Sequence, residues 1–328
     1  MSEAPSASAA RSGRDLQSLR GFMRRLSTGM LIFSLGLGLG IYAQHRWPIG
    51  RWRDERASRP TVAGRTVAEI AQIPRERRLV ILAVGQSNAA NFGETKQTAG
   101  PGVYAFADGS LYAATDPLPG GNGYGGSIWT RLGARLHTAG DFDAVVLAVV
   151  ARGSTRVTDW APGGADHERL VATQKQLTAA GLPVDCILWQ QGETEAGWAD
   201  ASGVAYFAAL KEIISACRTA SPDAKFVVAQ ATFGAASPSN GQISPAQTQA
   251  AALQGAMAGP DLDRLGSGFR SDGVHFNDRG LAAAADAWLA ALRPWLTQRS
   301  TTLDRKSVVE GKGVDLGCRR IHKKKKHP

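Results

Sequence analysis

The sequence predicts an α/β protein, a three-layer α/β/α sandwich around a mainly parallel sheet over residues 77–298. Three observations lead there. Four short apolar, β-branched runs (Leu79–Val84, Ala144–Val150, Val184–Trp189 and Lys225–Ala229) read as strands buried on both faces. Helical patterns separate them, which calls for right-handed crossovers that put helices on both sides of one sheet. Polar blocks also follow the strand ends, where open α/β sheets place ligands. A stretch of about 220 residues is ample for one such core.

The segments before this domain differ from it. Residues 1–25 are polar and carry Arg11, Arg14, Arg20, Arg24 and Arg25. Residues 26–43 carry no charge and are rich in Leu, Ile, Gly and Phe. At about 18 residues this run is at the short limit for crossing a bilayer core of roughly 30 Å, and it reads as one N-terminal transmembrane helix. Arginines on its short flank hold that flank in the cytoplasm, so the domain is expected outside it, as a single-pass protein of a bacterial-type inner membrane facing the periplasm or exterior. The alternative is a cleaved signal peptide and a secreted protein, although Ile41 fits a small-x-small cleavage site at Ala43 poorly. Residues 44–76, rich in Arg and Pro, read as a linker.

Within the domain the strand at 79–84 is followed by a Gly- and Pro-rich loop over 100–126. Helices are expected at Ser127–Thr138, His167–Ala179 and Gly203–Thr219, between the remaining strands. A second loop covers 232–245, and loops of such length often shape a binding site. Helices at Pro245–Met257 and Arg279–Leu296 close the domain; the last carries Leu281, Trp288, Leu289, Leu292 and Trp295 at helical spacings, as a core stripe does. Residues 299–328 form a tail. From Asp304 through Lys323–Lys326 the tail resembles translated sequencing-adapter read-through ending in a poly-A tract, the alternative being a basic tail for anionic lipid or nucleic acid.

The chain's net charge of +10 is misleading as a whole. Ten Arg face four acids in residues 1–60, and nine basic residues face three acids in 304–328, leaving 61–303 at −2. The near-neutral domain therefore argues against a nucleic-acid partner. Cys186 lies in an apolar strand and Cys217 in a helical pattern, so both read as small buried residues; a disulfide between them cannot be read from spacing. No Cys/His cluster has metal-ligand spacing, and no cofactor or metal is expected.

The chemistry resides in three blocks. Gly85-Gln86-Ser87-Asn88 sets a serine just past the first strand. Asp272-Gly273-Val274-His275-Phe276 sets an acid three residues before a histidine, within reach of one local turn. A serine hydroxyl is a weak nucleophile that needs an adjacent base, and the base needs an orienting carboxylate. Ser87, His275 and Asp272 supply nucleophile, base and acid. Trp189-Gln190-Gln191-Gly192-Glu193 ends the third strand at the same sheet edge. The Ser87 N–H, the Gly153 N–H (in Arg152-Gly153-Ser154) and the Gln191 amide are the candidate donors to a developing oxyanion. Gly121-x-Gly123-x-x-Gly126 matches a dinucleotide fingerprint, but no strand precedes it, and a loop is the better reading.

These blocks, in this order, resemble the sialate O-acetylesterase branch of the SGNH (GDSL-like) hydrolases. The resemblance implies a flavodoxin-like domain and a serine esterase that removes O-acetyl groups from an acetylated carbohydrate, such as sialic acid or a polysaccharide. It implies Ser87, Asp272 and His275 as the triad and Ser87, Gly153 and Gln191 as the oxyanion hole. Gln191 stands where most SGNH proteins have an Asn, and Arg152 where a second glycine is common, which leaves Gln86, Asn88, Arg152 and Glu193 as substrate-binding or supporting residues. O-acetyl transfer to an envelope polysaccharide and a non-catalytic glycan-binding envelope protein are the alternative functions.

Overall fold

The computed structural model describes residues 60–234 and 241–309. The basic segment, the apolar run at 26–43, the linker up to residue 59 and the tail from 310 lie outside them. Among the described residues no helix is long and apolar enough to cross a membrane.

The strands are β1 (Val67–Ala68), β2 (Arg78–Gly85), β3 (Val103–Ala107), β4 (Ser110–Ala113), β5 (Ala144–Ala151), β6 (Cys186–Gln190), β7 (Lys225–Gln230) and β8 (Ala256–Asp261). They form one sheet in the order β1-β4-β3-β5-β2-β6-β7-β8. All neighbours from β3 to β8 run parallel, while β4 and β1 add an antiparallel edge. The order β5-β2-β6-β7-β8 is the flavodoxin-like 2-1-3-4-5 arrangement, whose direction of winding reverses between β2 and β6.

Strand alternation divides the core into two apolar layers. Val80, Leu82 and Val84 of β2 face one side, with α2 (His167–Ala179), α4 (Gly203–Ala220) and α5 (Ile243–Ala251). Leu79, Ile81 and Ala83 face the other, with α1 (Ile128–Thr138) and α6 (Asp278–Val309). Because both faces of β2 are covered, the strand has no polar side, and each fully buried aliphatic contributes roughly 1.5–3 kcal/mol. Ser127 caps α1 by accepting from the Trp129 N–H at 3.2 Å, and on α6 Leu281, Trp288 and Leu292 are fully buried. Cys186 and Cys217 are buried and free, in opposite layers.

Several elements differ from the sequence expectation. The supposed loop at 100–126 contains the β3–β4 hairpin, turned by Asp108-Gly109 with φ of 50° and 76°. An Asp-Gly pair with positive φ at both positions is the favoured two-residue hairpin turn, and here it overrides the glycine-rich surroundings. The helix expected to reach Met257 ends at Ala251, and β8 follows on the sheet edge, where Pro260 costs no ladder bond. Residues ahead of 77 also join the fold: β1 pairs with β4, and Ile70 is buried. α6 continues past Leu296 to Val309.

Candidate functional site

The carboxyl ends of β2 and β6 lie side by side at the winding reversal, with Gly85 opposite Gln190. Gly85 has φ of 149°, and a Cβ there would stand 1.9 Å from the Gln190 carbonyl oxygen. Only glycine permits that approach. It lets the Gln86 N–H bond Gln190 O at 3.2 Å and turns the chain into a single 3-10 turn, Ser87–Ala89. The turn is closed by the Ala89 and Ala90 N–H groups, and among the described residues the Ser87 N–H has no acceptor. Ser87 is only 6 % exposed.

The neighbouring side chains hold this turn. Gln86 is buried, and its Oε1 accepts from Gln191 Nε2 and from the Gly192 and Thr194 N–H groups at 3.2–3.3 Å. It thereby fastens the start of α3 (Glu193–Ala196) to the end of β2. Asn88 Nδ2 donates to Glu193 Oε1 at 2.9 Å and to the Val274 carbonyl at 3.2 Å, so one amide spans from the serine turn to the histidine loop. Glu193 is buried, its Oε2 has no partner among the described residues, and burial pushes its carboxyl up to about 7 against the pull of Asn88 and Arg270.

The histidine loop is locally built. A bridge between Arg270 and Phe276 closes it, and Gly273 takes φ of 86° at its tip. Asp272 Oδ1 accepts from the Val274 and His275 N–H groups at 3.0 and 2.7 Å, while Oδ2 lies 2.7 Å from His275 Nδ1. Partial burial raises the Asp272 carboxyl, but the His275 N–H, the His275 ring and the Val274 N–H outweigh it and hold it down at about 2. With Nδ1–H donating to the carboxylate, Nε2 is left with its lone pair.

One contact series brings the two halves together. The His275 ring stacks on Phe92 at 5.1 Å and 22°. The Phe92 ring edge lies 3.2 Å from where a Gly153 Cβ would stand, and that point is 3.5 Å from Ser87 Cβ. Among the described residues neither Ser87 Oγ nor His275 Nε2 has a hydrogen-bond partner. Catalytic hydrogen bonds in unliganded enzymes are commonly long and tighten on substrate.

The other expected residues take different places. Arg152 is buried and ion-paired with Asp166 at 2.5 Å. The Gln191 side chain is fully buried, and its Nε2 is engaged by Glu195 Oε2 at 2.5 Å, Thr155 O at 3.0 Å and Gln86. The Gly153 N–H donates to Asn122 Oδ1 at 2.9 Å.

Sequence reasoning passed over Phe92, Asn122, Glu195 and Arg270. Arg270 donates to the Val274 carbonyl at 2.9 Å and lies 3.8 Å over the Phe276 ring, steadying the loop from behind. Asn91 bonds Leu118 at both N–H and carbonyl and Gly121 at its carbonyl, holding the glycine-rich stretch against the serine turn. An Asn amid glycines is the signal for Asn122 that the sequence carries.

Among protein families, the model of the sialic acid-specific acetylesterases, described as a carbohydrate esterase, matches residues 77–291. No curated protein matches the chain. Among solved structures, a protein from Arabidopsis thaliana superposes with a TM-score of 0.51 at 16% identity, covering 68% of this chain and 99% of that one. NanS superposes at 0.50 and 14% identity, covering 68% and 98%. At those identities the likeness is one of fold, and it agrees with the sheet order above.

Proposed function

This chain belongs to the sialic acid-specific acetylesterase family of carbohydrate esterases and is a carboxylic ester hydrolase, and we propose that it removes O-acetyl groups from a carbohydrate by a Ser-His-Asp mechanism through an acetyl-enzyme. The observation that carries the mechanism is the 2.7 Å contact between Asp272 Oδ2 and His275 Nδ1, on a loop tied by Asn88 to the Ser87 turn. It fixes the tautomer in which Nε2 can accept a proton.

Ser87 Oγ attacks the acetyl carbonyl while His275 Nε2 takes its proton, and the carbonyl π electrons move to oxygen. Asp272, charged down to about pH 2, stabilises the imidazolium without accepting its proton. Collapse of the tetrahedral intermediate breaks the bond to the sugar oxygen, which takes the proton from His275. Water then repeats the sequence on the acetyl-Ser87 ester, releasing acetate and restoring the serine. The unused Ser87 N–H supplies one hydrogen bond to the oxyanion.

The test is Ser87→Ala assayed with p-nitrophenyl acetate. The reading expects turnover to vanish with the thermal transition unchanged; turnover at the wild-type rate would falsify it. We also propose that residues 26–43 anchor the protein in a membrane with the esterase domain outside the cytoplasm, a reading supported by the uncharged run and the arginines before it. Protease treatment of spheroplasts, with the outer envelope removed, should then clip the domain, and full protection with clipping only on lysis would place it inside.

A further inference from the structure

The glycine-rich tract Gly120–Gly126 has no role in the scheme above, yet the fold draws it tightly against the nucleophile. A Cβ on Gly121 would stand 3.2 Å from Ala90 Cα, and one on Gly123, at φ of 89°, would stand 2.4 Å from the Asn91 carbonyl oxygen. The backbone of the tract is therefore pressed on the residues that follow Ser87. The one side chain between those two glycines is Asn122. Its N–H bonds Ala151 at the end of β5, its carbonyl accepts from the Asn91 N–H, and the residue is 3 % exposed.

The orientation of its carboxamide is set by a neighbour. Oδ1 accepts from the Gly153 N–H at 2.9 Å, so the other end of the amide is Nδ2. Nδ2 has no acceptor among the described residues and is not sealed from solvent. Gly153 in turn is the residue whose Cβ position lies 3.5 Å from Ser87 Cβ. A buried amide, tied down at its oxygen and open at its nitrogen, thus bonds the residue that packs against the Ser87 side chain. The two donors expected to accompany the Ser87 N–H, Gln191 Nε2 and the Gly153 N–H, are both occupied within the protein.

Building on the acetylesterase reading, we propose that Asn122 Nδ2 donates the second hydrogen bond to the oxyanion, with Gly153 acting through it. The Gly153 N–H polarises the amide at Oδ1 and makes the Nδ2 protons better donors, as chains of hydrogen bonds do in a low-dielectric setting. A donor already fixed in place needs no reorganisation when charge develops on the carbonyl oxygen. The glycines of the tract are what allow an Asn side chain to be held there.

Two variants separate this from a structural role. Asn122→Asp keeps the shape and an oxygen for the Gly153 N–H but replaces the donor by an acceptor; Asn122→Ala removes the side chain and frees the Gly153 N–H. With p-nitrophenyl acetate, kcat should fall by about 100-fold or more in Asn122→Asp and by a smaller factor in Asn122→Ala, with KM little changed. Labelling of Ser87 by a fluorophosphonate, whose phosphoryl oxygen needs the same donors, should slow in parallel. Wild-type kcat and labelling in either variant, or faster turnover in Asn122→Ala because a blocking side chain has gone, would overturn the assignment. If one variant does not fold, the other decides. Comparison of wild type with Ser87→Ala in the same assay tests the esterase reading separately: equal rates there sink that reading, whereas a serine-dependent rate untouched by Asn122 substitution sinks only this inference.

Discussion

The serine turn and the histidine loop meet in one site but are held in place by different means. Ser87 is buried at the winding reversal, and the residues around it bond across the sheet, Gln86 to α3 and Asn88 to both Glu193 and Val274. Asp272 is 55 % exposed at its side chain, and its bonds go to residues two and three positions along. Placement of the proposed nucleophile is therefore inseparable from folding. Placement of the proposed base depends on a local turn plus a few long-range contacts, among them the Asn88–Val274 bond, the Phe92 stack and the bond from the Glu94 N–H to the Phe276 carbonyl. Substitutions on the two sides should separate activity from stability.

The largest effect is expected where the histidine loop can be disarmed without touching the fold. Asp272→Asn should lower kcat by about two to four orders of magnitude, through loss of the correct tautomer and of charge beside the imidazolium. Its melting temperature should stay close to wild type, because the residue is exposed and its partners are local. A large fall in melting temperature would show the loop to be part of the core. Asp272 itself keeps its charge down to about pH 2, so protonation of its carboxyl should not limit turnover until the pH falls near that value; activity lost in step with an acid titrating well above it would point to another group.

Asn88→Ala should affect both properties. It cuts the tie to Val274 and strips Glu193 Oε1 of its donor, leaving a buried acceptor unsatisfied at a cost of about 1–3 kcal/mol. A drop in kcat of about tenfold is expected from loosening of the histidine loop, following the sensitivity of rate to small misplacements. Urea unfolding and turnover measured on one preparation would show the two losses together. Loss of stability with full activity would mean that Arg270 alone holds Val274.

The smallest effect is a change in pH dependence. The Glu193 carboxyl is raised in the fold to about 7, above its ordinary value of 4.5. Between those values the unfolded chain has lost this proton and the folded one keeps it, so stability falls as pH rises from about 5 through 7. Glu193→Gln keeps the acceptor for Asn88 and removes the ionisation. Its unfolding free energy should lack that decline and exceed wild type above pH 7 by about 1–3 kcal/mol. A wild-type slope in the variant would assign the pH dependence to another group.

Much of this organisation was readable from residues alone, because parallel strands covered on both faces announce themselves. β2, β5, β6 and β7 fall within two residues of their expected ends, as does α2. What escaped was decided by turns and by tertiary context. The Asp108-Gly109 hairpin was masked by surrounding glycines and prolines, and β8, with Gly259 and Pro260, lacks a strand composition. In the site, Asp272 and His275 were legible because their contact is local in sequence. The partners of Gln191 and Arg152 were not, since Arg152 pairs with Asp166 and Gln191 bonds the Thr155 carbonyl, 14 and 36 residues away, besides the nearby Glu195. Phe92 and Asn122 carry no motif of their own and acquire meaning from proximity to His275 and Gly153.

The account rests on Ser87 being a nucleophile activated by His275. Intact-mass and peptide mass spectrometry after brief exposure to a fluorophosphonate tests this most directly. A single adduct on the peptide holding Ser87, absent in Ser87→Ala and formed at least about 100-fold more slowly in His275→Ala, is the predicted result. An adduct on another residue, or labelling of Ser87 at the same rate without the imidazole, would contradict it.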